Sequence, residues 1–373
     1  MKDLRLYIHI PFCKQRCSYC DFPTYDDKSY LIHSYFKSLQ TEIAVYSPII
    51  DKSNITSVFF GGGTPSYPDA DYIGGTLEKC NINDATEVSM EANPGTVDFD
   101  KLRAYYDAGI NRISFGVQSF NNDMLLIMGR IHDRSLAIRN IKDAIKAGFE
   151  NISIDLMHGY PMQSEVGFQE SLETAIGLGV KHISCYSLKI EDGTPLRSMV
   201  DKGILPEPDD DADRRMYETA KKVLSSNGFV HYEISNFAKP GYECRHNIGY
   251  WKLDEYIGLG AAAHSYFNGR RYSNTENLGS YIRSLNEYAI PENYSEDIDE
   301  EESIKEFMIL GLRMTEGINT QDFYQRYGRD IFSVYGAEIN ECTEAGLLKA
   351  ENKQLRLTSR GLDFANKVFR KFI

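Results

Sequence analysis

The sequence lacks any apolar run long enough to cross a bilayer, which takes about 20 consecutive residues, so no membrane-spanning helix is expected. It also lacks an excess of positive charge. Lys plus Arg number 41 against 54 Asp plus Glu, a formal net charge of −13, which argues against a surface built to neutralise a phosphate backbone and so against nucleic acid as a partner. Behind Met1-Lys-Asp-Leu-Arg5 a strand pattern begins at once. That leaves no room for the apolar core of a signal peptide, and a cytoplasmic, reducing location is expected. There is one Trp, no internal repeat and no low-complexity tract. What remains is a chain of 373 residues, 42% hydrophobic and 25% charged. That is the composition of a globular protein long enough for a large core and two domains.

Cysteine is scarce, seven in all, and four of the seven (Cys80, Cys185, Cys244, Cys342) are scattered. The other three, Cys13, Cys17 and Cys20, form C-x-x-x-C-x-x-C in a loop that follows a strand over Leu6–Phe12. A zinc site would want four ligands, usually as two separated pairs, and no second Cys/His pair repeats the spacing. A disulfide framework belongs to small exported chains. Three thiolates suit a [4Fe–4S] cluster, which normally takes four cysteines, and leave one iron open to a small ligand.

Short β-rich runs alternate with helical ones up to about Leu188, the pattern of βα units around a parallel sheet. Strands are expected at Leu6–Phe12, Ser57–Gly61, Glu87–Ala92, Arg112–Gln118, Asn151–His158 and His182–Leu188, several of them apolar on both faces. Helices are expected near Tyr30–Tyr46, Asp69–Cys80, Asp98–Ala108, Ser135–Ala147 and Glu165–Gly177. Six such units fall short of a closed eight-stranded barrel, and chemistry should gather at the carboxyl ends of their strands. There lie the cysteine loop and Gly61-Gly62-Gly63-Thr64-Pro65, where glycines allow close approach of backbone to a ligand, or merely a tight turn. Glu91 and Gln118 end two further strands, and Asp155 sits in a buried one. A carboxylate there needs a partner, either an internal salt bridge or a ligand.

Beyond Leu188 an acidic run from Pro206 precedes a helix from about Arg214 to Ser225. Cys244-Arg-His246-Asn-Ile-Gly-Tyr250-Trp251 gathers a Cys, a His and the single Trp, and Tyr256 to Ser265 is small and apolar, suited to packing on a flat ligand or on another backbone. Pro291 to Glu302 is acidic and reads as a solvated linker or helix start. Helical periodicity follows at Ile304–Arg313, Thr320–Tyr327 and Ile331–Ala345, then a hairpin turning at Glu351-Asn-Lys-Gln and a last helix over Ser359–Lys371. The expected domains are residues 1–230, 231–290 and 291–373, the last winged-helix-like but without a basic stripe.

The cysteine spacing, with Tyr19 before the last cysteine, resembles the radical S-adenosylmethionine superfamily. YIHIPFC, GGGTP and HNIGYW resemble a narrower group, the oxygen-independent coproporphyrinogen III oxidases and their relatives, the HemW-type haem chaperones. The resemblance implies an α/β fold, an open partial (β/α)6 TIM-like barrel with a C-terminal helical, winged-helix-like domain. It implies a [4Fe–4S] cluster on Cys13, Cys17 and Cys20, and S-adenosylmethionine held by Tyr7, Tyr19, Gly62, Gly63, Thr64, Glu91, Gln118, Arg130 and Asp155. Arg130 otherwise reads as a surface charge. One electron into the cluster would then cleave the sulfonium to methionine and a 5′-deoxyadenosyl radical. His246 becomes a haem-ligand candidate, against a structural role, with Cys244 competing. Two functions follow: a chaperone that passes haem to recipient haemoproteins, with a reductant such as flavodoxin or ferredoxin, or an oxidase that decarboxylates coproporphyrinogen III. The oxidases carry a further cysteine where this chain has Phe22, and a long extension before the motif. Both departures favour the chaperone, without coproporphyrinogen dehydrogenase activity.

Overall fold

The structure, a computed structural model, describes residues 1–373. Its parallel core is formed by β1 (Lys2–Ile10), β2 (Ser53–Gly62), β3 (Glu87–Ala92), β4 (Arg112–Gln118), β5 (Asn151–His158) and β6 (His182–Ser187), neighbours in sequence order. Helices return the chain between them: α1 (Ile32–Ile50), α2 (Ala70–Leu77), α3 (Phe99–Asp107), α4 (Asn122–Ile127), α5 (Arg134–Ala147) and α6 (Glu165–Gly177). After α7 (Pro195–Asp201) and α8 (Asp210–Ser226), β7 (Val230–Glu233) and β8 (Asn236–Ala238) extend the sheet antiparallel beyond β6. At the other edge, past α9 (Arg245–Trp251), β9 (Tyr256–Leu259) lies parallel to β1, and β10 (His264–Phe267) and β11 (Arg270–Asn274) continue antiparallel. Then come α10 (Leu278–Asn286) and β12 (Glu292–Asp297), the outermost strand. The sheet ends at β12 on one side and β7 on the other. It is the expected open partial barrel.

The core strands alternate more than their sequences suggest. Leu4, Leu6, Ile8 and Ile10 of β1, with Val58, Phe60, Val88, Met90, Ile113, Phe115, Ile152 and Ile154, bury one face of the sheet in the main hydrophobic core. Register puts the other residues together: Ser89 pairs with Arg112, Glu91 with Ser114, Ser114 with Ser153, and Asp155 with Ser184. The helices cover only the apolar face, so the inner face of the barrel is polar. The expectation of strands apolar on both faces is corrected by these small hydroxylated residues.

Most helix boundaries follow from caps. Asp133 accepts the Leu136 amide and Gly148 ends α5 in the left-handed region, while Ser164 caps α6 through Gly167 N. Helix α1 runs past its expected end despite Pro48. Proline removes a donor to the carbonyl four residues back, and the Ser47 hydroxyl fills that place on Ala44 O at 2.9 Å.

The C-terminal part has its own core, which includes Phe307, Met308, Phe323, Ile331, Leu355 and Phe372. It consists of α11 (Glu300–Gly311), α12 (Thr320–Tyr327) and α13 (Ile331–Glu344) beside a three-stranded sheet of β13 (Ile318–Asn319), β14 (Leu348–Glu351) and β15 (Gln354–Leu357). The expected last helix is two short ones, α14 (Ser359–Asp363) and α15 (Ala365–Phe369), broken at Phe364. The acidic stretch after Pro291 holds a strand, since β12 gains cross-strand partners: Arg270 with Glu292 at 2.6 Å and Arg271 with Glu296 at 3.4 Å. No helix is long and apolar enough to cross a membrane.

Candidate functional site

The cysteine loop leaves the carboxyl end of β1 and is tied down along its length. Cys13 N donates to Tyr25 O at 3.0 Å, and Tyr25 N donates to Pro11 O at 2.7 Å. Farther along, Ser18 N donates to Met128 O at 3.1 Å, and the Ser18 hydroxyl meets Ile127 O and the Tyr160 hydroxyl. The chain after α4 therefore holds the loop against the barrel. All seven cysteines are free thiols. Burial raises the pKa of the Cys13 thiol, partly offset by the Thr64 hydroxyl, which donates to Cys13 Sγ at 3.4 Å. Burial raises that of Cys20 as well, offset by the Phe22 amide.

Beneath the loop lies a cavity of about 470 Å³ lined by Cys13, Cys17 and Cys20, by Tyr19, Gly62, Gly63 and Thr64, and by Glu91, Gln118, Arg130 and Asp155. Eleven of the thirteen expected site residues thus meet in one place. Tyr7 does not line it; its hydroxyl is 3.0 Å from His9 Nδ1, behind the glycines. The glycine run answers first to packing: a Cβ on Gly62, whose φ is +113°, would sit 2.5 Å from the His9 ring. Gln118 also has a positive φ, 68°, at a register shift in β4. Such strain in a non-glycine residue gathers at functional sites.

Two carboxyls share this cavity. Burial raises Glu91 to about 8, with the nearby Asp155 adding to the shift. Asp155 is raised by burial too, although Ser184 donates to it at 2.7 Å, Ser114 donates at 3.1 Å, and Arg112 and Arg130 lie nearby. Like charges in a confined space resist joint ionisation, and a cationic ligand would relieve them. Two buried polar atoms at the cavity have no partner, Asn93 Oδ1 and Arg130 Nε. One accepts and the other donates, so a ligand bearing both kinds of polar group fits. Sequence reasoning missed Asn93, although it stands two residues after Glu91, and missed Ser114 and Ser184, which period-two alternation alone would have aimed inward.

No three His, Cys, Asp or Glu side chains converge as ligands of a single metal ion would. A cubane presents a different iron to each thiolate, so three reduced cysteines spread along one loop fit it without converging.

The structure does not bring His246 to the cavity. Its ring nitrogens meet Ser57 Oγ at 2.8 Å and the Tyr250 hydroxyl at 2.9 Å, and it is buried. The start of α9 is fixed by Glu87, the first residue of β3, which accepts from Arg245 N and His246 N at 3.1 Å each. This motif therefore lies at the amino ends of the strands, opposite the cysteine loop. Burial, with Arg5 and Arg112 nearby, lowers the His246 imidazole to about 3 and holds it neutral. Cys244 is buried and likewise sits beside Glu87. The small residues from Tyr256 to Ser265 pack on backbone rather than on a flat ligand: a Cβ on Gly260 would sit 2.7 Å from His9 O, and one on Gly258 would overlap His264 O.

Comparison with known proteins gives the family and the fold. Residues 7–175 match the radical SAM superfamily and residues 298–364 the HemN C-terminal domain. The heme chaperone HemW of Bacillus subtilis is 36% identical over 372 residues, covering 98% of both chains. The chain belongs to the HemW family. The Escherichia coli HemW is 33% identical over 388 residues, covering 100% of this chain and 99% of its own. A mitochondrial radical S-adenosyl methionine domain-containing protein 1 from Danio rerio is 35% identical, covering 96% of this chain and 84% of its own. The coproporphyrinogen III oxidase HemN of Escherichia coli superposes with a TM-score of 0.87 at 21% identity, over 100% of this chain and 90% of that one. That likeness shows a shared fold.

Proposed function

We propose that this HemW-family chain is a haem chaperone, binding haem and delivering it to haem-requiring proteins. The reading includes a [4Fe–4S] cluster on Cys13, Cys17 and Cys20 and S-adenosylmethionine in the adjoining cavity. The observation that carries it is three free thiols opening onto a cavity with two charge-starved carboxyls, in a chain similar end to end to proteins named heme chaperones. When bound, the cluster supplies one-electron chemistry, fed by a reductant such as flavodoxin or ferredoxin.

The chain's own residues supply binding and enclosure. Glu91 and Asp155 balance the ligand's positive charge, Arg130 Nε donates to its carboxylate, and Asn93 Oδ1 accepts from a donor on it. Gly62, Gly63 and Thr64 shape the wall beside Cys13, Gln118 closes the end of β4, and Tyr19 covers the loop side. Tyr7 supports this wall through His9 rather than touching the ligand. For haem iron, the free imidazole among His9, His158, His246 and His264 is that of His264. It is exposed and makes no ring hydrogen bond, whereas His9, His158 and His246 are buried and bonded.

The rival reading is oxidative decarboxylation of coproporphyrinogen III, supported by the fold likeness alone. One anaerobic preparation separates the two. Haem uptake with a Soret band, and coproporphyrinogen left intact with reductant and S-adenosylmethionine present, is the expected result. Conversion to protoporphyrinogen would overturn the chaperone reading.

A further inference from the structure

The three cysteines of the loop are not equivalent, because only one of them meets a charged donor. Arg130, just past α4, reaches across to the loop: its Nη1 donates to Cys17 Sγ at 3.0 Å, and its Nη2 donates to the Gly116 carbonyl in β4. Cys13 Sγ has only the neutral Thr64 hydroxyl, at 3.4 Å. Lys14 and Arg16 beside the loop are exposed, where solvent and salt screen them. Arg130 is half-buried at the cavity wall, and a guanidinium stays charged at any working pH.

We propose that Arg130 is a positioning residue for the redox state of the cluster. Its cation, fixed on the Cys17 sulfur, stabilises the cluster after it has accepted one electron. The proposal rests on the cluster reading above and adds a role separate from any contact with S-adenosylmethionine. One electron passes from an external low-potential donor to the oxidised cluster, no bond is broken, and the cluster gains one negative charge. A fixed positive charge next to a coordinating sulfur, in a half-buried site, favours the more negative state, so it raises the reduction potential. The bond to Gly116 keeps the side chain extended, so the charge stays on the sulfur. A brace between β4 and the loop could be neutral and leave the potential where it was.

The test uses full-length protein reconstituted anaerobically without S-adenosylmethionine, so that contacts to that ligand play no part. Arg130→Gln and Arg130→Lys each keep one donor and differ in charge. Iron is assayed first, and the midpoint potential is then read by dithionite titration followed by electron paramagnetic resonance. Arg130→Gln should hold wild-type iron and be harder to reduce by at least tenfold in the equilibrium, about 59 mV for one electron. Arg130→Lys should stay close to wild type. A Gln variant with full iron and an unchanged potential overturns the proposal, as does an equal fall in both variants. If Arg130→Gln loses its iron, Arg130→Lys decides: a wild-type potential upholds the role of the charge, and a tenfold fall overturns it. Wild-type protein that binds no cluster would instead overturn the cluster reading.

Discussion

The imidazole of His246 and the hydroxyl of Ser57 are hydrogen-bonded at 2.8 Å inside the barrel, at the amino ends of its strands. With the Tyr250 hydroxyl on the other ring nitrogen, this joins α9 to β2 and leaves no nitrogen for a metal. The HNIGYW stretch acts here as a plug, and Trp251 continues it outward by stacking under Arg313 at 4.4 Å.

His246→Ala should therefore cost stability rather than remove a haem ligand. Leaving the Ser57 and Tyr250 hydroxyls without partners costs about 1–3 kcal/mol, read as a lower denaturant midpoint. The Soret band of the folded variant should keep its position, whereas His264→Ala should shift it. A shifted band in His246→Ala with unchanged stability would return the ligand to His246.

Glu91 sets a pH dependence. Its folded-state pKa is raised from 4.5 to about 8, so the folded protein keeps a proton that the unfolded chain releases. That stability is fully present below the unfolded value and is lost as pH rises toward 8, with a slope of up to about 1.4 kcal/mol per pH unit from this group. Melting temperatures of ligand-free protein across this window should fall more steeply for wild type than for Glu91→Gln. Equal slopes would refute the assignment.

The same carboxyl links ligand binding to protons. S-adenosylmethionine should bind more tightly as pH rises toward 8 and release a proton on binding, visible as a buffer-dependent heat in calorimetry. Asp155→Asn should weaken binding by roughly 1.5–3 kcal/mol, the value of a hydrogen bond to a charged group, with iron content unchanged. Unaltered affinity would make Asp155 a structural residue.

Gly258→Ala tests the edge at β9. The added Cβ would overlap the His264 carbonyl oxygen, and such overpacking costs about 1–3 kcal/mol or more. The melting temperature should drop, and a neutral substitution would show that this turn can move.

Much of this was legible in the chain. Strands such as Glu87–Ala92 and Arg112–Gln118 fall where expected, because apolar residues on alternate positions and glycine or proline at their ends are local signals. The cavity was legible because its side chains end those strands. Other features depend on partners far away in sequence. The acidic strand β12 needs Arg270 and Arg271 beside it, and Tyr256 to Ser265 needs the backbone of β1, so neither reads as a strand alone. His246 likewise depends on distant residues: its ring bonds Ser57 as well as the nearby Tyr250, and its amide donates to Glu87.

The most direct test is electron paramagnetic resonance of the anaerobically reduced protein before and after adding S-adenosylmethionine. The account predicts a [4Fe–4S] signal that disappears in the Cys13→Ala, Cys17→Ala, Cys20→Ala triple variant. In wild type, S-adenosylmethionine should change that signal because one iron is open to it. A signal that survives the triple variant, or one that S-adenosylmethionine leaves unchanged in wild type, would contradict it.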